Sequence, residues 1–222
     1  SAYPSVFYTG HRGPRALTLP PSCRWSGDHL ELLDQRQLPG AVVFMQLHRW
    51  QEVAEAISSM AVRGAPAIGI AAAWGVVLAA RSGDDLPTAI RGLRASRPTA
   101  VNLDWALNRM QAAMGSSASV DVEALTDAAV ALQREDCVLT QRLVDHGVSL
   151  LAHGCRVLHH CHTGAIATGG VGTALGVIAA AHARGLLRHA WLDETRPRLQ
   201  GAALSAWELG CLGVPCTVIV DG

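Results

Sequence analysis

Residues 156–193 decide the fold, and their sequence is RVLHHCHTGAIATGGVGTALGVIAAAHARGLLRHAWLD. This stretch starts with a short β-rich run, passes through a helical segment at 173–184 and ends in a second β-rich run. Another helical stretch, at 199–212, leads to a third run. The three β-rich runs are residues 156–161, 189–193 and 216–221. The β-α-β-α-β order predicts right-handed crossovers and therefore a parallel sheet.

Polar or nucleophilic residues end the three predicted strands. Cys161, Asp193 and Asp221 occupy these positions, and ligands of such sheets bind beyond the carboxyl ends of the strands. The glycine-rich segment 167–173 then opens a helix, so its backbone N–H groups could approach an oxyanion. The segment lacks a strict GxGxxG, which weakens a nucleotide-site interpretation. Spacing alone favours a buried structural cysteine at Cys161 over a catalytic one.

The sequence before residue 152 has a helical character. Apolar residues recur at helical spacing from residue 50 onward, and 120–151 is long enough for one extended helix. Short apolar stretches between 25 and 43 predict two small strands in a hairpin. The longest apolar run, 65–80, falls short of the roughly 20 residues that span a membrane and is interpreted as a buried helix.

The predicted fold class is α/β, with an N-terminal mainly helical domain followed by a Rossmann-like parallel-sheet domain that is incomplete in this chain. The predicted divisions are an irregular N-terminal arm at 1–24, the helical domain at 25–152 and the sheet domain at 153–222. A chain of 222 residues with 50% hydrophobic content can bury a substantial core in this way.

Amino-acid composition limits the kinds of partner that the protein can bind and indicates its cellular compartment. The formal net charge is zero, so no general field attracts nucleic acid or an anionic membrane, and the ligand must be recognised locally. The six cysteines form no CxxC pair, and no secretory signal opens the chain. These features indicate a reducing cytoplasm. The run His159–His162 invites a zinc hypothesis, but neighbours on a strand point to opposite faces, so we expect no metal.

Two arginines precede predicted helices. Arg63 stands before Gly64 and a run of small residues, where a phosphate could bind the helix start and the guanidinium. The same small residues would equally serve close helix packing. Arg97 is followed by proline on a non-helical stretch, ahead of a helix that Asn102 is expected to initiate. An isolated arginine in such a position is ordinarily a surface charge.

Four segments, taken together and in this order, closely resemble methylthioribose-1-phosphate isomerases. They are VRGAPAIGIAAAWG at 62–75, RPTAVNLDWAL at 97–107, HCHTGAIATGGVGTALGVI at 160–178 and DETRPRLQGAALSAWEL at 193–209. The wider superfamily includes ribose-1,5-bisphosphate isomerases and regulatory subunits of a translation-initiation exchange factor. The resemblance implies reversible isomerisation of 5-methylthioribose 1-phosphate to 5-methylthioribulose 1-phosphate in methionine salvage, by a cofactor-free homodimer.

The resemblance also implies roles for individual residues. Cys161 matches the family's catalytic cysteine. Substrate binding falls to Arg63, Gly64, Ala65, Arg97 and Gln200. The family's catalytic aspartate lies one strand later, in a Gly-Ala-Asp-Arg segment that these residues do not contain, so Asp221 is not its counterpart. The resemblance therefore predicts that residues 1–222 alone do not turn over substrate.

Three positions depart from the family pattern: His162 replaces a usual asparagine, Ala203 a common arginine, and Gly222 the asparagine that normally follows the aspartate. These departures leave open a related substrate, such as 5-deoxyribose 1-phosphate or ribose 1,5-bisphosphate. The main alternative from another class is a non-catalytic regulatory or assembly subunit, against which Cys161, Arg63 and Arg97 together argue. An ordinary nucleotide-binding module is the third alternative.

Overall fold

The computed structural model describes residues 19–115 and 120–222, so most of the predicted N-terminal arm, at 1–18, lies outside the described residues. The described residues form two compact units. The first contains 21–37 and 41–136, and the main body of the second is 137–222. Helix α5 (Val122–Ser149) contributes its first half to the first unit and its second half to the other. This confirms the extended helix predicted at 120–151, whereas the domain boundary after residue 152 remains a proposal.

The first unit opens with an antiparallel sheet of three strands. They are β1 (Cys23–Trp25), β2 (Leu30–Leu33) and β3 (Phe44–Leu47), paired in the order β1-β2-β3. Of the two strands predicted between 25 and 43, only β2 lies in that range. Its hairpin partner β1 begins at Cys23, within the arm predicted to be irregular, and the two strands turn through Gly27 at a φ of 95°. The sequence-based interpretation missed β3. In that strand Leu47 is buried and Met45 half-buried, but the sequence from 41 to 45 is a continuous apolar run without the apolar-polar alternation that would reveal the strand.

Four helices complete the first unit: α1 (Trp50–Ser58), α2 (Ala65–Ser82), α3 (Leu86–Ala95) and α4 (Val101–Ala113). Helix α2 lies at the centre of the core. Its fully buried Trp74 stacks on Trp25 with ring centroids 4.7 Å apart. Helix α2 is long and apolar enough to cross a membrane by length and composition, yet 78% of it is buried inside the protein. Packing in the core therefore accounts for its apolar character, as the sequence predicted.

Helices α2 and α4 approach each other closely near their starts. A Cβ on Gly69 would lie 2.9 Å from the backbone oxygen of Asn102, so only glycine permits this contact. The expectation that Asn102 initiates α4 is wrong. The helix begins at Val101 with Ala100 in the N-cap position and no side-chain cap, and Asn102 lies within the first turn, where its carbonyl faces Gly69.

The second unit contains the predicted parallel sheet. Its strands are β4 (Cys155–His159), β5 (Leu187–Asp193) and β6 (Cys216–Ile219), hydrogen-bonded in the order β4-β5-β6. Helix α6 (Ala174–Ala183) connects the first two strands. A π-helical turn (Gly201–Ser205) and helix α7 (Ala206–Cys211) connect the second and third. Both strand pairs are parallel, which confirms the β-α-β-α-β prediction.

Helices α6 and α7 pack on one face of this sheet. The buried cluster that joins them to the strands consists of Leu175, Ile178, Ala181, Leu187, Ala190, Leu192, Leu209 and Val214. On the opposite face, Leu158 and Trp191 are register partners on neighbouring strands and remain 67% and 39% exposed. Parallel sheets are usually covered on both faces, so this exposed apolar pair is unusual.

Candidate functional site

The carboxyl ends of the three parallel strands lie at one edge of the sheet, as predicted. Cys161 follows the end of β4 by two residues, Asp193 ends β5, and Asp221 follows the end of β6 by two residues. Thr195, just past β5, is hydrogen-bonded to both of its neighbours, Cys161 and Asp221. The edge is therefore a connected cluster rather than three separate chain ends.

The backbone of Cys161 is held in an unusual conformation. Its φ is 66°, in the left-handed region that residues other than glycine rarely adopt and that costs roughly 1–3 kcal/mol. Its N–H donates to Thr195 Oγ1 at 3.0 Å, and its carbonyl oxygen accepts from Ser205 Oγ at 2.8 Å. The side chain is partly exposed. Two hydroxyl groups thus hold the backbone of a residue whose thiol side chain is partly exposed.

Thr195 is itself held by the end of the third strand. Its φ is 61°, and its N–H donates to Asp221 Oδ1 at 2.9 Å. The N–H of Arg196 donates to the other carboxylate oxygen at 2.6 Å. The hydrogen bonds from the Arg196 and Thr195 backbones lower the pKa of Asp221. Asp221 is therefore an anion that caps the loop, which supports the expectation that it is not the catalytic acid.

Three neighbouring histidines have three different partners. His159 Nε2 lies 2.9 Å from Thr163 Oγ1, His160 Nδ1 lies 2.9 Å from Asp193 Oδ2, and His162 Nε2 lies 2.7 Å from Glu208 Oε1. Burial lowers the pKa of His159 to about 4, with the nearby His162 and His160 adding to the effect. His159 is therefore neutral at neutral pH.

The glycine-rich segment uses several of its donors internally. The N–H groups of Gly170 and Gly172 both donate to Thr168 Oγ1, at 3.2 and 3.1 Å. The N–H of Thr173 donates to the carbonyl oxygen of Thr163 at 2.8 Å. The interpretation of 167–173 as an oxyanion cradle is therefore wrong for these three groups, because the loop itself satisfies them.

The first unit holds the Arg63 segment. Gly64 is the N-cap of α2 with a φ of 96°, a conformation suited to glycine, and Ala65 is the first helical residue. No side chain caps this helix start. The carbonyl oxygen of Arg63 accepts from Gln35 Nε2 at 3.3 Å, which ties the segment to the turn after β2.

Arg97 lies in the same unit, in the loop between α3 and α4. It is half-buried, and its carbonyl oxygen accepts from the N–H of Ala100 at 3.0 Å. The contact between Gly69 and Asn102 places the first turns of α2 and α4 side by side. The structure therefore brings the two arginine-bearing segments to neighbouring helix starts. Of the other predicted residues, Cys161 and Gln200 lie in the second unit, and Gln200 directly precedes the π-helical turn.

Sequence reasoning missed Thr195, Ser205 and Glu208. Ser205 and Glu208 are buried polar residues beside the buried Leu204 and Leu209. A polar side chain on the buried face of a helix requires a hydrogen-bond partner. The polar residues among the apolar ones of 199–212 were therefore the signal that could have pointed to these contacts. The partners belong to the loop after β4, which no local pattern in 199–212 could reveal.

Comparison with known proteins shows extensive similarity. The methylthioribose-1-phosphate isomerase of Synechococcus sp. (strain CC9605) is 96% identical over 206 residues, which cover 93% of this chain and 61% of that protein. The methylthioribose-1-phosphate isomerase of Parasynechococcus marenigrum (strain WH8102) is 72% identical over 206 residues, with the same coverage. The chain thus spans about three fifths of the length of these relatives.

Two crystal structures share the fold at substantial sequence identity. The 5-methylthioribose 1-phosphate isomerase of Pyrococcus horikoshii OT3 matches with a TM-score of 0.86 and 36% identity, covering 93% of this chain and 61% of that one. The translation initiation factor eIF-2B, subunit delta, of A. fulgidus matches with a TM-score of 0.79 and 37% identity, covering 90% and 62%. The family model described as the initiation factor 2 subunit family matches residues 61–222. Since this match extends over most of the chain, the protein belongs to the initiation factor 2 subunit family.

Proposed function

We propose that this protein is an aldose-ketose isomerase, which converts 5-methylthioribose 1-phosphate to 5-methylthioribulose 1-phosphate in methionine salvage. The observation that carries the proposal is Cys161, at the carboxyl edge of a parallel sheet. Its backbone is held in a left-handed conformation by two hydrogen bonds, and its side chain is partly exposed. Strained backbone that the surroundings over-determine is concentrated at functional sites. The names of the relatives supply the substrate.

The chemistry sets the groups that such a site needs. The phosphate blocks the anomeric carbon, so the ring opens only with acid assistance at the ring oxygen. Hydrogen then moves from C2 to C1, either through a cis-enediol with a general base or as a hydride in a dry pocket. The net reaction is an isomerisation and consumes no oxidant or reductant. In this proposal, Cys161 is the catalytic residue that exchanges a proton with the sugar.

Phosphate binding belongs, in this proposal, to the neighbouring helix starts of the first unit. Arg63 and Gly64 directly precede α2, which begins at Ala65 without a side-chain cap, and Arg97 precedes α4. Backbone N–H groups at helix starts favour anions, and a guanidinium adds charge-assisted hydrogen bonds. Gln200 would contact the sugar. Fixed phosphate contacts position the reacting carbons, which is a large part of catalysis.

We expect Arg63→Ala and Arg97→Ala each to weaken binding of a phosphate-bearing substrate analogue. A hydrogen bond to a charged group contributes about 1.5–3 kcal/mol, which corresponds to a tenfold to hundredfold loss of affinity. Titration calorimetry measures the dissociation constants. Arg91→Ala is the control, since Arg91 is an exposed arginine on α3 whose guanidinium contacts Thr88. Unchanged affinity in both test variants would refute these assignments and leave helix packing as the role of the segment.

A non-catalytic regulatory subunit is the second candidate function. The observation that favours it is the 37% identity to the delta subunit of the initiation factor eIF-2B of A. fulgidus. Turnover separates the two. A chimera in which residues 1–222 are extended to full length with the remaining part of the Synechococcus relative should isomerise the substrate if the main proposal is correct. An inactive but folded chimera would favour the regulatory subunit.

We further propose a cytoplasmic homodimer. The cysteines of the described residues form no disulfide bond, which suits a reducing compartment. The exposed Leu158 and Trp191 form an apolar surface of the kind that promotes association. We expect the 222-residue chain to associate with increasing concentration and the double variant Leu158→Ser, Trp191→Ser to be largely monomeric. Sedimentation velocity measures both, and an equally associated double variant would exclude this face as the contact.

A further inference from the structure

A buried pair of polar side chains, His162 and Glu208, lies beside the candidate catalytic cysteine in the second unit. The side chains of His162 and Glu208 are 3% and 2% exposed, and their Nε2 and Oε1 atoms are 2.7 Å apart. Burial of two such groups is costly unless their hydrogen bonds are complete. His162 directly follows Cys161, so the pair acts on the same short loop.

The carboxylate of Glu208 accepts two further hydrogen bonds from this loop. The N–H of Ala165 donates to Oε2 at 2.8 Å, and the N–H of Ile166 donates to Oε1 at 3.2 Å. Because both oxygens already accept backbone N–H groups, we place the shared hydrogen on His162 Nε2. One carboxylate therefore fastens the side chain next to Cys161 and the turn that follows it.

The loop encloses this carboxylate at contact distance. A Cβ on Gly164 would lie 2.3 to 2.5 Å from the carboxylate of Glu208, so the backbone has no room to shift inward. Ser205, one helical turn before Glu208, donates to the carbonyl oxygen of Cys161. Ser205 is the last residue of the π-helical turn, and Glu208 lies in helix α7, which follows that turn directly. π-helical turns are frequent at functional sites.

We propose that Glu208 and His162 are positioning residues that hold Cys161 in its left-handed conformation. Glu208 holds the residues that follow Cys161 in the loop. Thr195 and Ser205 hold the backbone N–H and carbonyl groups of Cys161 itself. The inference rests on the proposed function only in the catalytic role given to Cys161. The family resemblance assigns neither residue a role, and His162 replaces an asparagine.

Alkylation of Cys161 by iodoacetamide tests the proposal on the 222-residue chain itself. Peptide mass spectrometry gives a separate rate for each cysteine. We expect Glu208→Ala and His162→Leu to raise the rate of Cys161, on the order of fivefold, because a loosened loop exposes the thiol. His162→Gln should stay near the parent rate, since the glutamine amide can donate at a similar reach.

Cys155 and Cys216 are the internal controls, because both are partly buried against the core of the same unit. Their rates should not change. An unchanged Cys161 rate in both disruptive variants would overturn the proposal, as would an equal rise at all three cysteines, which indicates general loosening. If Glu208→Ala fails to fold, Glu208→Gln decides, with a selective rise at Cys161 expected and no rise overturning the proposal.

This measurement needs no turnover, so it is independent of the proposed function. A selective rise in a protein whose full-length chimera lacks isomerase activity would retain the positioning role and refute the enzyme. An active chimera without the selective rise would support the enzyme and refute the positioning role.

Discussion

Replacement of Cys161 by serine should abolish isomerisation while leaving phosphate binding unchanged. Serine preserves the size of the side chain and the backbone hydrogen bonds to Thr195 and Ser205. Its hydroxyl, however, is a far weaker acid than a thiol. Loss of a positioned proton-transfer group costs about 10²- to 10⁴-fold in rate. We expect the loss in kcat, with KM nearly constant, because the phosphate contacts lie elsewhere.

The full-length chimera with the Synechococcus relative provides the assay, and Cys216→Ser is the matched control. Cys216 is a partly buried thiol in the same unit, at the start of β6 and so at the opposite end of the strand from the candidate site. The control should keep near-parent activity. The 222-residue chain alone should show no turnover. A Cys161→Ser chimera with parent-like kcat would remove Cys161 from the mechanism.

A second substitution should have the largest effect on stability. A Cβ added at Gly201 would lie 1.8 Å from the carbonyl oxygen of Asp193. Backbone cannot move aside as a flexible side chain can, and overpacking of this kind costs about 1–3 kcal/mol or more. We expect Gly201→Ala to lower the free energy of unfolding of the second unit by at least the upper part of this range. The displaced π-helical turn would also carry Ser205 away from Cys161.

Gly210→Ala is the matched control, since Gly210 lies in α7 and a Cβ there meets nothing within 4 Å. Alanine in a helix interior is favoured over glycine by about 1 kcal/mol, so this variant should be neutral or slightly stabilised. Urea denaturation followed by circular dichroism measures both. Equal unfolding midpoints for the two variants would show that the strand end yields to the added methyl group.

The parallel sheet was predictable because each of its elements carries its own local pattern. The β-rich runs that became β4, β5 and β6 are short and apolar, and the stretches between them repeat at helical spacing. Strand β3 was not predictable, because the sequence from 41 to 45 is a continuous apolar run without apolar-polar alternation. The start of α4 was also predicted incorrectly, at Asn102. Asparagine favours helix starts, but α4 begins at Val101 with Ala100 as its N-cap, and Asn102 lies in the first turn with its carbonyl facing Gly69.

The candidate site also combines features that local sequence patterns predict with features that they do not. Cys161 could be placed at a strand end from periodicity, while its role required the family resemblance. The side chains that hold it, from Thr195, Ser205 and Glu208, come from later parts of the chain. Their partners are set by tertiary packing, which leaves no local pattern. The Thr168 hydroxyl that satisfies the glycine-rich loop was hidden for the same reason.

The hydrogen bonds that Thr195 donates to Asp221 and accepts from Cys161 also bear on the order in which the site forms. A ribosome releases β4 and Cys161 well before β6 and Asp221. Until β6 docks, Thr195 lacks the carboxylate that holds its N–H, and its hydroxyl, the partner of the Cys161 N–H, is held only by the carbonyl oxygen of Asp193. Before β6 docks, the loop that positions Cys161 therefore has fewer hydrogen bonds than in the folded protein. The hydrogen bonds that hold Cys161 in place are complete only when the third strand has docked.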